Sequence, residues 1–209
     1  MLTPVRIVDY GASNIRSITN AVSYLGYDPK VISHRDQVDD VSQDSPIVLP
    51  GVGRFASAID ELTQRDLKDW MIDVVTNQGV PILGICLGFH LIMRSSAESP
   101  GVAGLGLVPS EVVALEDCGW EGPVPRVGFV AVTSEADSVL HRSLAPCVDV
   151  YFCHSFGISS DSPYVTSRTG TNLSIGSTIE YGNIFGTQFH PEKSQQSGLD
   201  ILQNFFELP

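Results

Sequence analysis

Basic residues are scarce in this chain: 12 lysines and arginines stand against 24 aspartates and glutamates, a formal charge of −12. They form no stripe or cluster, so the footprint of a nucleic-acid surface is missing and no nucleic acid is an expected partner. Long apolar runs are missing too. The longest, near residues 79–93, is broken by glycines and falls short of the roughly 20 residues a membrane helix needs, so no membrane is expected either. Met1 to Tyr10 holds no basic region followed by an apolar one, and no signal peptide is expected. Cysteine is sparse. Cys86, Cys118, Cys147 and Cys153 lack the paired spacing of a zinc site or a disulfide framework. The expectation is therefore no metal, no cofactor and a reducing, cytoplasmic setting. Repeats, low-complexity tracts and linkers are also absent, which leaves one domain over residues 1–209. A 43% hydrophobic content is that of a globular chain with a substantial α/β core.

The most informative stretch is Gly79 to Met93, Gly-Val-Pro-Ile-Leu-Gly-Ile-Cys-Leu-Gly-Phe-His-Leu-Ile-Met. Pro81 to Ile85 reads as a buried parallel strand, and Leu87 to Met93 as the first turns of a helix. Gly84 and Gly88 flank Cys86, where a sharp strand-to-helix turn leaves no room for side chains. This is the thiol form of a nucleophile elbow, with the sulfur at the positive end of a helix dipole. A lone cysteine is more often a small core residue. Gly-x-Cys-x-Gly at such a junction points instead to a nucleophile.

Val5 to Asp9 reads as a first strand, followed by a turn in which Ser13 or Asn14 can cap a helix carrying Ile15, Ile18, Val22 and Leu25. Gly26 ends that helix, a second strand lies near Lys30 to Ser33, and a polar stretch to Ser45 reads as solvated helix and loop. Pro46 to Leu49 is a third strand that empties into Pro50-Gly51-Val52-Gly53. Two glycines there are either plain turn chemistry or a means of exposing backbone N–H groups at the carboxyl ends of the strands. Phe55 to Leu62 precedes a helix with Leu67, Trp70, Met71, Val74 and Val75 on one stripe. Later strands are expected at Glu111–Leu115, Val127–Thr133, Val148–Cys153, Tyr164–Arg168, Leu173–Glu180 and Asn183–Phe189, with a last helix over Gly198–Leu208. The second half is thus richer in β-structure, with antiparallel additions.

Asn183 to Phe189 runs into His190, Pro191 and Glu192. A cysteine nucleophile needs an imidazole to take and return a proton, and a third group to orient that imidazole. His-Pro-Glu supplies both from one corner, although His-x-Glu alone is commoner as a strand-end histidine beside a surface acid. His34 and His141 lie in polar surroundings and read as surface residues.

Gly84-Ile-Cys-Leu-Gly and Gln188-Phe-His-Pro-Glu, about a hundred residues apart, together resemble the class I (triad) glutamine amidotransferases. Ile7-Val-Asp-Tyr-Gly, Asn14-Ile-Arg-Ser, Leu49-Pro-Gly-Val-Gly, Tyr151-Phe-Cys-His-Ser-Phe and His190-Pro-Glu-Lys-Ser-Gln resemble one branch, the glutaminase subunits of imidazole glycerol phosphate synthases. The likeness implies an α/β, doubly wound, mostly parallel open sheet flanked by helices, with extra antiparallel strands in the second half. It implies a Cys86 nucleophile, a His190 acid/base and a Glu192 orienting group. Leu87 and the Gly51-Val52-Gly53 loop would supply the oxyanion hole. Gly88, His90, His154, Ser155 and Phe156 would line the glutamine pocket. Asn14, Arg126, Phe129, Lys193, Ser194 and Gln195 would face a partner, a (β/α)₈-barrel cyclase or a related ammonia-accepting synthase subunit.

Three departures stand out. The family's elbow usually continues Gly-Met-Gln, and here it reads Gly88-Phe89-His90. Its Pro-His-x-Gly-Trp-Asn segment is here Pro125-Arg126-Val127-Gly128-Phe129-Val130. Its Tyr-Gly-Met-Gly-Asn turn becomes Tyr10-Gly11-Ala12-Ser13-Asn14. The resemblance therefore implies first a glutaminase that hydrolyses L-glutamine and feeds ammonia to a cyclase in histidine biosynthesis. A second reading is a paralogue serving another synthase, such as a surface-polysaccharide sugar amidotransferase. A third is a non-catalytic, glutaminase-like regulatory or binding protein.

Overall fold

In the computed structural model, which describes residues 2–11, 14–38, 45–170, 172 and 174–208, five strands form a parallel half-sheet. They are β1 (Pro4–Val8), β2 (Asp28–Ile32), β3 (Ile47–Gly51), β4 (Ile82–Cys86) and β12 (Ile184–Thr187), in the order β2-β1-β3-β4-β12. β3 and β4 are buried at every residue, as strands covered on both faces must be. α2 (Phe55–Gln64) and α3 (Leu67–Thr76) seal one face through Phe55, Leu62, Trp70 and Val74 against Leu49 and Ile82. On the other face, α1 (Ile15–Tyr24) and α5 (Gln195–Phe206) pack Ile18, Val22, Leu202 and Phe205 against Val48, Leu83 and Ile85.

From β12 the sheet continues antiparallel through β11 (Ile175–Tyr181), β10 (Val165–Thr169), β7 (Arg126–Ser134) and β8 (Cys147–His154). Three strands lie off this path. β5 (Met93–Ser96) pairs parallel with β6 (Val108–Ala114), and β9 (Phe156–Ser159) joins β6 to β11. β5 and β9 have no counterpart in the sequence reading. Among the described residues no helix is long and apolar enough to cross a membrane.

Several local expectations need correcting. The helix expected over Leu87–Met93 stops early, as α4 (Leu87–Leu91), and Met93 opens β5. The loop after β5 explains this. Leu105, Val108 and Gly106 donate backbone N–H groups to the carbonyls of Leu91, Ile92 and Met93 at 2.7, 3.0 and 3.1 Å, taking acceptors that a longer helix would use. Asn14 occupies the N-cap position of α1 but gives no side-chain cap; its Nδ2 donates to Ser17 Oγ at 2.8 Å. Ser13, residues 39–44 of the polar stretch and Leu173 lie outside the described residues. His141 is buried rather than on the surface. Its Nδ1 pairs with Ser138 Oγ at 3.1 Å, in a turn rolled onto Glu180, which accepts from Ser138 Oγ, Val139 N and Leu140 N. Burial pushes the His141 imidazole down to about 4, so it is neutral at pH 7.

Candidate active site

The carboxyl end of β4 turns into α4 at Cys86, whose φ of 55° is left-handed for a residue with a side chain. Such backbone is costly and survives where packing enforces it. The enforcing contacts are visible at the flanking glycines. A Cβ on Gly84 would strike the Gly88 carbonyl, and one on Gly88 would strike the Leu49 carbonyl of β3. Gly88→Ala is expected to destabilise the fold by roughly 1–3 kcal/mol, the usual cost of overpacking. An unchanged denaturant midpoint would show that the turn relaxes freely.

β12 lies in register with β4, Gly186 opposite Gly84 and Thr187 opposite Ile85, so the chain leaving β12 arrives beside Cys86. It is pinned there by His190 N–H donating to the Tyr151 carbonyl at 2.9 Å. Ser194 Oγ donates to the His190 carbonyl at 2.7 Å and accepts from Tyr151 N–H at 2.9 Å. His190 Nδ1 meets Glu192 Oε1 at 2.9 Å, with side chains 4% and 2% exposed. Burial alone would lower the imidazole pKa. Hydrogen bonds to Cys86 and Glu192, and their negative charge, outweigh it and raise the value to about 10. The ring is therefore an imidazolium at neutral pH, with Nδ1–H on Glu192 and Nε2–H left for the sulfur. Cys86 Sγ also lies 3.8 Å from the Cys153 carbonyl oxygen.

Cys86 and His190 open on a cavity of about 360 Å³, near the lower end of ligand cavities and suited to an amino-acid-sized molecule. Val52, Gly53 and Leu87 line it, as do His90, His154, Ser155 and Phe156. Gly51 lies beneath, opposite Cys86 in the β3–β4 register and packed on the Tyr10 hydroxyl. Gly88 does not line the cavity; its place is against Leu49, which corrects its expected part in the pocket. His90 is buried, with Nε2 at 2.8 Å from Gln188 Oε1. Burial lowers its pKa to about 4, against the bonds to Gln188 and the Phe156 backbone. His154 Nδ1 donates to the Phe156 carbonyl at 2.8 Å, since a carbonyl only accepts. Its pKa falls to about 3, mainly through burial, with the proximity of His90, Arg126 and His190 adding to it. Both rings are neutral braces of the pocket wall.

Sequence reasoning missed Glu98, Tyr151 and Cys153, which also line the cavity. Glu98 Oε2 accepts from Phe55 N–H at 3.1 Å, holding the start of α2 to the rim. It sits in the polar run Ser95-Ser96-Ala97-Glu98-Ser99, which has no periodicity to mark it.

Of the residues expected at a partner face, Asn14, Phe129, Lys193 and Gln195 are exposed. Phe129 stacks edge-on to Tyr151 at 5.6 Å, and Lys193 Nζ lies 5.7 Å over the same ring. Phe129, Tyr151 and Lys193 thus share one surface, which Tyr151 and Lys193 carry to the cavity. Arg126 and Ser194 are buried and do not belong to that surface. The Arg126 guanidinium lies 4.6 Å from the Trp120 ring and 4.8 Å from the Phe152 ring, and donates to Thr169 Oγ1 at 2.8 Å. A planar, weakly hydrated cation stacks favourably on two aromatic faces. Burial lowers its pKa. Ser194 is turned inward by its two bonds to the His190 and Tyr151 backbones.

The model of the family "Glutamine amidotransferase class-I" matches residues 6–208. A relative from Moorella thermoacetica, imidazole glycerol phosphate synthase subunit HisH, is 40% identical over 208 residues, 99% of this chain and 96% of its own. One from Parasynechococcus marenigrum, imidazole glycerol phosphate synthase subunit HisH 1, is 38% identical over 207 residues, 98% of this chain and 97% of its own. Among solved structures, one described as a glutamine amidotransferase superposes with a TM-score of 0.76 at 15% identity, covering 97% of both chains, a likeness of fold alone.

Proposed function

This chain belongs to the class-I glutamine amidotransferases, and from that premise we propose that it is the glutaminase subunit of an imidazole glycerol phosphate synthase. It hydrolyses glutamine to glutamate and supplies the ammonia to a cyclase partner in histidine biosynthesis, as one domain working in the cytoplasm. The observation that carries the chemistry is the buried His190–Glu192 pair set against Cys86 at a cavity mouth.

The Cys86 sulfur attacks the side-chain amide carbon of glutamine. The oxyanion that forms is held by the Leu87 N–H and one N–H from Gly51-Val52-Gly53; one such donor is commonly worth ~3 kcal/mol. His190 passes its proton to the departing nitrogen and ammonia leaves, with a thioester on Cys86. A water then attacks the thioester carbonyl, His190 takes its proton, and the carbon–sulfur bond breaks to give glutamate. His90 and His154 hold the wall formed by Ser155 and Phe156, and Glu98 sets a carboxylate at the rim.

Phe129, Lys193, Asn14 and Gln195 make the docking face for a (β/α)₈-barrel cyclase. With Arg126 buried, its change from the family pattern lies off that face, and the paralogue reading keeps only Phe129 and Val130 in its favour. Glutamine is expected to bind weakly to the isolated chain, because His90 is engaged by Gln188, and hydrolysis is expected to rise on docking. Pull-down and steady-state glutaminase assays with a histidine-pathway cyclase and with a sugar-pathway synthase test this. Activation by the sugar-pathway synthase alone would replace the first reading with the paralogue, and absence of any turnover with either would favour the non-catalytic one.

A further inference from the structure

Cys153 has no part in the chemistry above, yet it lines the same cavity as the nucleophile. Cys86 and Cys153 both line it, and the Cys86 sulfur is 3.8 Å from the Cys153 main-chain oxygen. β8 explains the approach. Tyr151 turns its N–H and C=O toward Ser194 and His190, away from β7. Two residues on, the Cys153 carbonyl faces the same way and meets Cys86. The Cys153 side chain therefore shares the face that carries Tyr151, whose ring is 6.4 Å from that of His190. Cys153 is exposed and unpaired. The other two thiols are placed differently. Cys118 is buried against Leu115 and Ile175, and burial, with Asp117 beside it, pushes its thiol up to about 11. Cys147 stands at the opposite end of β8.

We propose that Cys153 is the resolving thiol of Cys86, closing a reversible disulfide across the cavity mouth after a hydroperoxide has oxidised the nucleophile. In the first step the Cys86 sulfur attacks one peroxide oxygen and the O–O bond breaks. Cys86 becomes a sulfenic acid, oxidised by two electrons, and the peroxide is reduced, its leaving oxygen taking a proton to give water or an alcohol. In the second step the Cys153 sulfur attacks the Cys86 sulfur. The S–O bond breaks, the S–S bond forms, and the departing hydroxide leaves as water with the Cys153 proton. The imidazolium of His190 beside Cys86 favours both departures. The product lacks a nucleophile but is protected from further oxidation, and any thiol reductant restores the pair.

The inference rests on Cys86 being the reactive sulfur of the proposed function, and its test is read on sulfur as well as on turnover. The full chain is treated with hydrogen peroxide and digested without reductant. Mass spectrometry is expected to find the Cys86 peptide joined to the Cys153 peptide. Glutaminase activity is expected to fall and to return with dithiothreitol. Cys153→Ser, measured against its own untreated rate, is expected to lose activity that dithiothreitol does not restore, because the sulfenic acid proceeds to the sulfinic state. A Cys153→Ser variant that recovers as fully as the parent would overturn the proposal. So would a parent in which Cys86 stays reduced, reaches the sulfinic acid unpaired, or joins Cys118 or Cys147. If the crosslink forms in a chain without glutaminase activity, the thiol pairing stands and the proposed function fails.

Discussion

Cys86→Ala is expected to abolish glutamine hydrolysis while leaving the fold in place. Loss of a nucleophile in a triad of this kind costs on the order of 10⁶-fold in turnover, because no other group in the cavity is presented by an elbow. The substitution is mild for the fold. Cys86 is 6% exposed, and alanine removes one atom while keeping the Cβ already accommodated at the positive φ. Near-parental thermal unfolding together with undetectable glutamate release is the expected pair of results. Glutamate release at the parent rate would remove Cys86 from the mechanism. A glutamine-like diazo-ketone gives a second reading, since it should label Cys86 and spare Cys118, Cys147 and Cys153. Cys153 is the demanding control because it shares the cavity. Preferential labelling there would reassign the nucleophile.

His190→Ala should reduce turnover by roughly 10²–10⁴-fold, the usual worth of a positioned general acid/base. Glu192→Gln should cost less, because an amide oxygen can still accept from Nδ1 and hold the ring. Its effect should appear in the pH profile. Glu192 helps to raise His190 to about 10 from an ordinary 6.5, so without that charge the imidazole gives up its proton at lower pH. The alkaline limb of the profile should move down accordingly. Linkage gives the sign for stability. A raised imidazole pKa contributes stability that is full below about 6.5 and lost as pH rises through about 10. The variant should therefore lose stability most fully below about 6.5, less as pH climbs through the neutral range, and match the parent above about 10. Equal losses of turnover in both folded variants would mean that Glu192 does more than orient.

The elbow was legible from residues alone because it depends on local crowding. Gly84 must lack a side chain because Gly88 turns back onto it, although Gly88 itself is fixed by Leu49 of β3, and the apolar run before Cys86 must be a strand. β3, β4 and β12 were legible because fully buried strands read as continuous apolar runs. What escaped depended on distant neighbours. The end of α4 is set by the loop around Leu105, and the burial of His141 by Glu180 on β11. Arg126 looks like a surface cation until Trp120 and Phe152 are seen on either side of it. Ser194 looks like part of a polar loop until Tyr151 is brought to it. Glu98 carries no pattern because its partner, the Phe55 N–H, is reached only through the fold.

The pairing of β12 with β4 also has a consequence in time. β12 inserts between β4 and β11, so the imidazole reaches the sulfur only through a strand made about a hundred residues after Cys86. At the usual pace of translation that delay is roughly 5–20 s. During it the nascent chain carries a bare thiol with no base beside it. A growing or truncated chain ending before β12 lacks His190 and Glu192 and is therefore expected to be unable to spend glutamine. Competence arrives only when β12 and the His190 that follows it have been made and laid beside β4.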